Sequence, residues 1–241
     1  MRYLLGLFVA LLLAGAAQAG VLKLEPTSDY GVIAIEVEPG GPMASANGGY
    51  RLNIGAFSPE AHAFNANPFG GWASLGVLGK TPTAGGYYLA KAKPGAYALL
   101  GLSVKNWGVC YNGDSQTFEV KPGQVTFLGR YDPQPSLIDL SLAVQSGRLS
   151  SVARGTDVLY IFDTPRLALT PPAQLESWRP ALEDWLKAEK PDVQAPVVVA
   201  DLTPTHFNTG RDAFGLQRIC GGYYAKHDKG AGPQAEKAPS P

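Results

Sequence analysis

The chain has 241 residues, and its 20 Lys and Arg residues balance its 20 Asp and Glu residues, so the formal net charge is zero. Without a basic excess to neutralise phosphates, the composition argues against a nucleic-acid-binding protein. The 29 Gly and 20 Pro residues make up about a fifth of the chain, more than the usual level of about 12% but less than the roughly 25–30% of low-complexity segments. We therefore expect a folded, turn-rich protein.

The first nineteen residues have the pattern of a secretory signal peptide. Arg2 supplies a basic start, residues 4–13 form an apolar run, and Ala17-Gln18-Ala19 forms an A-x-A cleavage site. The apolar run is too short for a membrane helix, which needs about 20 residues. We predict Sec-type export with cleavage between Ala19 and Gly20 and no membrane span after cleavage. The pattern favours the bacterial periplasm but leaves full secretion open.

Cys110 and Cys220 are the two cysteines of the chain, so an exported protein has one intramolecular disulfide available. Closing a loop of about 110 residues would stabilise the fold by roughly 4–5 kcal/mol in the chain-entropy model. The alternative is two buried free thiols that pack as small apolar side chains. We predict the disulfide, which would tie the middle of the chain to its C-terminal end.

Short strand patterns alternate with turn signals up to residue 132. Residues 31–38 alternate an apolar set, Ile33, Ile35 and Val37, with a second set that includes Glu36. Asn112-Gly113 is a strong hairpin signal because both residues tolerate a positive φ. These patterns predict an antiparallel β-sandwich over residues 20–132, with strands at 31–38, 50–57, 87–92, 96–104, 107–111, 116–120 and 125–131.

Two of the turns resemble each other. Lys93-Pro94-Gly95 and Lys121-Pro122-Gly123 lie 28 residues apart, and both precede an apolar strand that contains Leu-Gly five residues after the Gly. Because two copies are too few for a solenoid, we interpret them as the turns of two successive hairpins in one sheet system.

The run Tyr88–Leu99 (YLAKAKPGAYAL) resembles the strand, Pro-Gly-x-Tyr, strand signature of transthyretin-like and carboxypeptidase-regulatory-like β-sandwiches. The resemblance covers at most residues 31–131. It implies a small sandwich of a bacterial envelope protein, used for binding, support or display, with no catalysis of its own. The following hundred residues depart from this pattern.

Beyond residue 132 the pattern predicts a smaller α/β extension, 133–225, that packs on the sandwich and contains one helical segment. Thr170-Pro171 is expected to open the helix, Pro180 to kink or restart it and Pro191 to end it. Its apolar stripe consists of Leu175, Trp178, Leu182, Trp185 and Leu186. Strands are predicted at 138–144, 158–162, 196–201 and 216–224. The tail 226–241 has no core residues and is predicted to be disordered.

The sequence contains few features of catalytic or cofactor motifs. Gly79-Lys80-Thr81 resembles the end of a phosphate-binding loop, but Ser74 stands where that motif needs Gly. We therefore expect no nucleotide, cofactor or metal. Asp201, His206 and His62 would have to converge in three dimensions to form a zinc or catalytic site, and their spacing does not indicate it. Glu36 and Glu38 share a strand face, where solvent-facing charges are the expected role.

Residues 58–86 form a long segment without clear periodicity, in which aromatic side chains lie among Asn, Gly and Ala. A loop of this length in a compact domain is usually functional or disordered. One hypothesis is a binding loop for a glycan or an envelope protein; the alternative is that the rings fold back onto the sandwich. The candidate binding residues are Phe64, Phe69, Trp72 and Tyr87.

These observations together predict an exported, non-enzymatic binding or structural protein of the bacterial cell envelope. A first alternative is an exported hydrolase whose site forms only in three dimensions, because catalytic groups are recognised by geometry. A second alternative is a subunit of an envelope assembly held by pairing of exposed strand edges.

Overall fold

The computed structural model describes residues 22–42, 49–60, 63–64, 74–75, 85–147, 150–151, 159–161, 166–206, 218–219 and 223–224. This part of the chain is mainly β, as predicted. Two α-helices occur in it, α1 (Gln134–Gln145) and α2 (Trp178–Glu189), with a short 3-10 helix at Pro172–Gln174. The strands are β1 (Gly31–Val37), β2 (Arg51–Ser58), β3 (Ala63–Phe64), β4 (Ser74–Leu75), β5 (Gly86–Ala92), β6 (Gly95–Val104), β7 (Trp107–Cys110), β8 (Ser115–Val120), β9 (Val125–Tyr131), β10 (Ser150–Ser151), β11 (Leu159–Ile161), β12 (Leu169–Thr170), β13 (Val197–Val199), β14 (Thr203–Thr205), β15 (Arg218–Ile219) and β16 (Tyr223–Tyr224).

Two sheets carry the fold. Sheet I has the order β5-β1-β9, and β12 and β13 share the outer edge of β9. Sheet II is built around β6, which pairs with β2 on one side and with β7 and then β8 on the other; β14 lies outside β8, and β11 outside β7. Strands from beyond residue 132 thus complete both sheets. The sheets are mixed rather than purely antiparallel, because β1–β9, β13–β9 and β11–β7 are parallel pairs.

Sheet I is buried on both faces, so the molecule has three layers. Ile33 and Ile35 of β1 face sheet II and join one apolar cluster with residues of β2 and β6. Val32 and Ala34 face the opposite way and join a second cluster with Leu182 and neighbouring residues of α2. All four of these β1 side chains are completely buried. The β1 face that carries Val32, Ala34 and Glu36 is therefore also buried over most of its length, under α2.

Helix α2 covers the outer face of sheet I through the predicted apolar stripe. Leu182 and Leu186, one turn apart, are buried, and the rings of Trp178 and Trp185 pack beside them. Trp178 stacks on Phe127 of β9 with 4.7 Å between ring centroids.

The prediction that Thr170-Pro171 opens the helix is wrong, because Thr170 belongs to β12 and the helix begins at Trp178, after Leu175 of the predicted stripe. Pro180 therefore lies in the first turn of α2, where a missing backbone N–H costs little.

The prediction of a strand at 138–144 is wrong, because these residues belong to α1. The buried side chains of this helix are Ser136, Leu137, Leu140 and Ala143, which recur every three to four residues. Pro135 is compatible with the first turn, and the Asp132 carboxylate accepts a 2.8 Å hydrogen bond from the backbone N–H of Gln134. The extension therefore has two α-helices rather than one helical segment. Ile138 and Leu142, two members of the apolar alternation, lie on the exposed side of α1.

The two Lys-Pro-Gly turns are not hairpin turns, contrary to our prediction. The first joins β5 of sheet I to β6 of sheet II, and the second joins β8 of sheet II to β9 of sheet I. Each turn is an arch that carries the chain from one sheet to the other. Both contain a glycine at positive φ, and Gly123 has no room for a side chain because its added Cβ would overlap the carbonyl oxygen of Pro26. The similar sequences therefore reflect a shared task in the sandwich.

Asn112-Gly113 does not close a hairpin either. Strands β7 and β8 both run antiparallel to β6, against residues 101–104 and 95–98, so they follow each other along one edge and residues 111–114 form an insertion between them. The tight hairpin joins β6 to β7, where Lys105 adopts a left-handed conformation with φ +47°. The remaining predicted strand, 216–224, contains the two short strands β15 and β16, which pair antiparallel.

Candidate functional site

The predicted binding residues are only partly within the described structure. Phe64 lies on β3, which pairs with the end of β2, whereas Phe69 and Trp72 lie outside the described residues. Tyr87 on β5 is half-buried under α2, with its ring centroid 5.4 Å from that of Trp185 and 6.4 Å from that of Phe127. Its neighbour Tyr88 packs into the cluster between the sheets. Because both faces of sheet I are covered, the two adjacent rings are each half-buried.

Cys110 is the last residue of β7 and is completely buried, whereas Cys220 lies outside the described residues. The disulfide stays a prediction. A tryptic digest of the exported protein under non-reducing conditions should contain one peptide pair joined through Cys110 and Cys220, and reduction should release the two peptides. Alkylation of both residues before reduction would contradict the prediction.

A polar recess in the described residues is a groove of about 610 Å³ at one side of the sandwich. It lies where the chain passes from β13, at the edge of sheet I, to β14, at the edge of sheet II. Strand β8 and the arch that follows it form the adjoining wall. The polar and apolar residues that line the groove include Glu119, Lys121, Thr126, Val199, Asp201 and Thr203. This volume falls within the range of roughly 300–1,000 Å³ that small-molecule sites occupy.

Thr126 places a buried hydroxyl in this groove. The residue is on β9, between Val125 and Phe127, which face α2, so its side chain faces sheet II. Thr126 is 2% exposed, and its Oγ1 has no hydrogen-bond partner among the described residues. A buried polar group without a partner costs about 1–3 kcal/mol. Sequence reasoning missed Thr126, because Thr is also a common strand residue and nothing marks this one.

The charged side chains of the groove are exposed. Glu119 is at the end of β8, Lys121 follows it in the arch, and Asp201 lies between β13 and β14. None of the three forms an ion pair within the described part of the chain. The groove thus combines two exposed carboxylates and one exposed ammonium with a hydroxyl buried in its wall.

Glu36 and Glu38, expected to be solvent-facing charges, share one guanidinium. Arg130 on β9 places Nη2 3.1 Å from Glu36 Oε1 and Nε 3.5 Å from Glu38 Oε1. The hydrogen bond that Arg130 donates to the Glu36 carboxylate raises the pKa of Arg130 further above its ordinary value. These carboxylates therefore hold β1 to β9 at the rim of a second recess of about 540 Å³.

The described residues contain no assembled zinc or catalytic site built from Asp201 and His206. Asp201 and His206 are both exposed and stand at opposite ends of β14, so an extended strand separates them, and His62 lies outside the described residues. No group of three His, Cys, Asp or Glu side chains gathers within the described ranges.

A chain of buried hydroxyls fixes α1 to the sandwich. The Tyr111 hydroxyl lies 2.6 Å from that of Tyr131 and 2.8 Å from that of Ser136 on α1. Tyr50 lies beside them, with its ring 6.4 Å from that of Tyr131, but its hydroxyl has no partner in the described structure. The cluster therefore contains both satisfied and unsatisfied buried hydroxyls.

We expect Tyr111→Phe to lower the free energy of unfolding by about 1–2 kcal/mol, because the buried hydroxyls of Tyr131 and Ser136 each lose a hydrogen bond. Tyr50→Phe removes a hydroxyl that bonds to nothing described, so it should leave stability unchanged or slightly higher. Urea denaturation of both variants beside the wild type measures the difference. Equal losses in the two variants would contradict the hydrogen-bond network.

We also expect stability to fall above about pH 10. Burial raises the pKa of Tyr111 to about 12 and the pKa of Tyr131 well above its ordinary value, which is about 10 in an unfolded chain. Between these values the unfolded chain releases protons that the folded protein retains, so the stabilising contribution is complete below about pH 10 and is lost as the pH rises through about 12. Urea denaturation from pH 8 to pH 11 should show this decline, with a shallower slope for Tyr111→Phe; identical slopes would contradict the assignment.

Comparisons with known proteins identify no relative. No protein-family model matches the chain, and no curated protein or solved structure matches it either. In the described part of the chain, neither α-helix is long and apolar enough to cross a bilayer.

Proposed function

We propose that this protein is an exported, non-enzymatic binding protein of the bacterial cell envelope and that the groove beside β13 and β14 is its binding site. The observation that carries the proposal is Thr126, a residue that lines the groove and whose buried hydroxyl has no partner in the described structure. A ligand that bonds this hydroxyl would remove its desolvation cost. Unpaired charges on both walls of the groove supply further contacts.

Export is supported by the signal-peptide pattern of residues 1–19 and by the pair of cysteines. The resemblance to transthyretin-like sandwiches, which implies binding or display, rests on the arch between β5 and β6. There the Tyr97 hydroxyl donates a 2.9 Å hydrogen bond to the carbonyl oxygen of Lys93, across Pro94-Gly95. The Tyr of the signature therefore stabilises the arch through this hydrogen bond.

The alternative of an assembly through strand pairing is disfavoured at the edges beside the groove. Arg179 Nη1 donates a 2.9 Å hydrogen bond to the carbonyl oxygen of Val197 on β13, so this edge acceptor is occupied. Strand β14 contains Pro204, which has no N–H to offer a partner strand. Natural edge strands use such features to resist added strands.

Binding at the groove can be tested with Glu119→Gln/Asp201→Asn, which keeps side-chain shape and removes both carboxylate charges. The dialysable fraction of a bacterial envelope extract should raise the melting temperature of the wild-type protein, because a ligand that binds only the folded state stabilises it. The double variant should show a much smaller rise. No rise in the wild type, or an equal rise in both proteins, would contradict the proposal.

Export has its own test. Mass spectrometry of the protein recovered from fractionated cells should find an N-terminal peptide that begins at Gly20, in the periplasm or the medium. A protein that retains Met1 and stays in the cytoplasm would contradict this part of the proposal.

A further inference from the structure

We infer that the groove binds a short, basic peptide with free termini, a ligand that carries both ammonium groups and a carboxylate. The inference rests on the proposed function and names its ligand class. The groove presents Glu119 and Asp201 for cations and Lys121 for an anion, and none of these is paired within the described residues. The acidic excess favours a ligand with more positive than negative charge.

The strand register brings the two carboxylates to adjoining walls. β14 pairs antiparallel with β8 so that Thr203 faces Thr117; Asp201 lies two residues before Thr203, and Glu119 lies two residues after Thr117. The regular pairing ends at Thr203, where the chain turns toward sheet I, so the space between these walls is open. A ligand ammonium group placed between these walls would be attracted by both carboxylates.

Lys121 lies two residues after Glu119, a spacing that points successive side chains of an extended segment to the same side. One short molecule can therefore place an ammonium group against Glu119 and a carboxylate against Lys121. The buried Thr126 hydroxyl can donate to a peptide carbonyl or accept from a peptide N–H. Val198 and Val199 line the same groove and offer apolar surface to the ligand's aliphatic parts.

Other ligand classes fit less well. Phe118 is the aromatic side chain of the lining and is 3% exposed, so it presents no ring face for a sugar to stack on. A phosphorylated ligand would meet two carboxylates and one ammonium, which is an unfavourable balance.

Isothermal titration with the tripeptide Ala-Lys-Ala, free at both termini, tests the inference. We expect saturable binding that weakens about tenfold in Glu119→Gln/Asp201→Asn, as loss of charge-assisted hydrogen bonds predicts. Lys121→Gln should weaken binding of the free tripeptide but leave the affinity for the C-terminally amidated tripeptide unchanged. Glu189→Gln removes an exposed carboxylate at the end of α2 that does not line the groove, so it is the matched control and should bind as the wild type does.

Thr126→Val separates ligand contact from folding. Since the hydroxyl has no partner in the described structure, this variant should unfold no more easily than the wild type, yet it should bind Ala-Lys-Ala at least about threefold more weakly. Unchanged affinity in this variant and in the charge variants would overturn the inference.

The failures of the two proposals are distinguishable. If Ala-Lys-Ala does not bind, or if the disaccharide chitobiose binds instead, while the envelope extract still stabilises the wild type through Glu119 and Asp201, the ligand class is wrong and the binding function stands. If neither tripeptide nor extract binds, both proposals fall.

Discussion

Leu182→Ala is expected to lower the free energy of unfolding by about 3 kcal/mol, within the range of roughly 2–5 kcal/mol seen when a buried Leu is truncated. Leu182 is completely buried under α2, in the cluster that contains Val32, Ala34 and Phe127 of sheet I. Its loss leaves a cavity between the helix and a sheet whose opposite face is already packed, so little can move in to fill it.

Leu142→Ala is the matched control, because Leu142 is also on an α-helix but is 51% exposed. We expect it to change stability by less than about 0.5 kcal/mol. Urea denaturation of both variants, with the midpoint and slope fitted together, makes the comparison. Similar small changes in the two proteins would mean that α2 is not a structural layer of the fold.

Gly129→Ala should be at least as damaging, with an expected loss of about 3 kcal/mol or more. Gly129 has φ +111° at a bulge in β9, where the register with β1 shifts between Ala34 and Glu36. A residue with a Cβ is strained there by about 1–3 kcal/mol. Its Cβ would also overlap the carbonyl oxygen of Thr170 on β12, lying only 2.2 Å from it.

Gly86→Ala isolates the strain from the collision, because Gly86 has φ +141° but no heavy atom within 4 Å of an added Cβ. We expect it to cost roughly 1–2 kcal/mol, less than Gly129→Ala. Thermal and urea denaturation give the two values. If the costs are equal, the close approach of β12 to β9 is not a feature of the folded protein.

The mainly β fold could be predicted because short apolar segments and Pro-Gly turns are local features. The partners of the strands could not, since hydrogen bonding between strands depends on contacts far apart in sequence. Pro94-Gly95 and Pro122-Gly123 have hairpin-like sequences, yet each arch connects different sheets. Residues 138–144 show a second limit: apolar residues at every second position also occur on a helix when one of its faces is exposed.

The residues that line the candidate groove do not form a motif that can be recognised in the sequence. Glu119 and Thr126 are separated by one arch, but Asp201 comes some eighty residues later, and only the pairing of β14 with β8 brings these segments together. The aromatic residue that sequence analysis did single out and that the structure describes fully, Tyr87, packs under α2 instead. Side chains placed by the fold, rather than by a local pattern, therefore make up the site.

Hydrogen exchange measured by mass spectrometry tests the central proposal, a binding groove between the edges of the two sheets. The wild-type protein would be labelled with and without the dialysable envelope fraction, beside Glu119→Gln/Asp201→Asn. The proposal predicts slower exchange in residues 117–126 and 197–203 of the wild type and little change in the variant. Unchanged exchange in both segments, or protection that is equal in the variant, would contradict it.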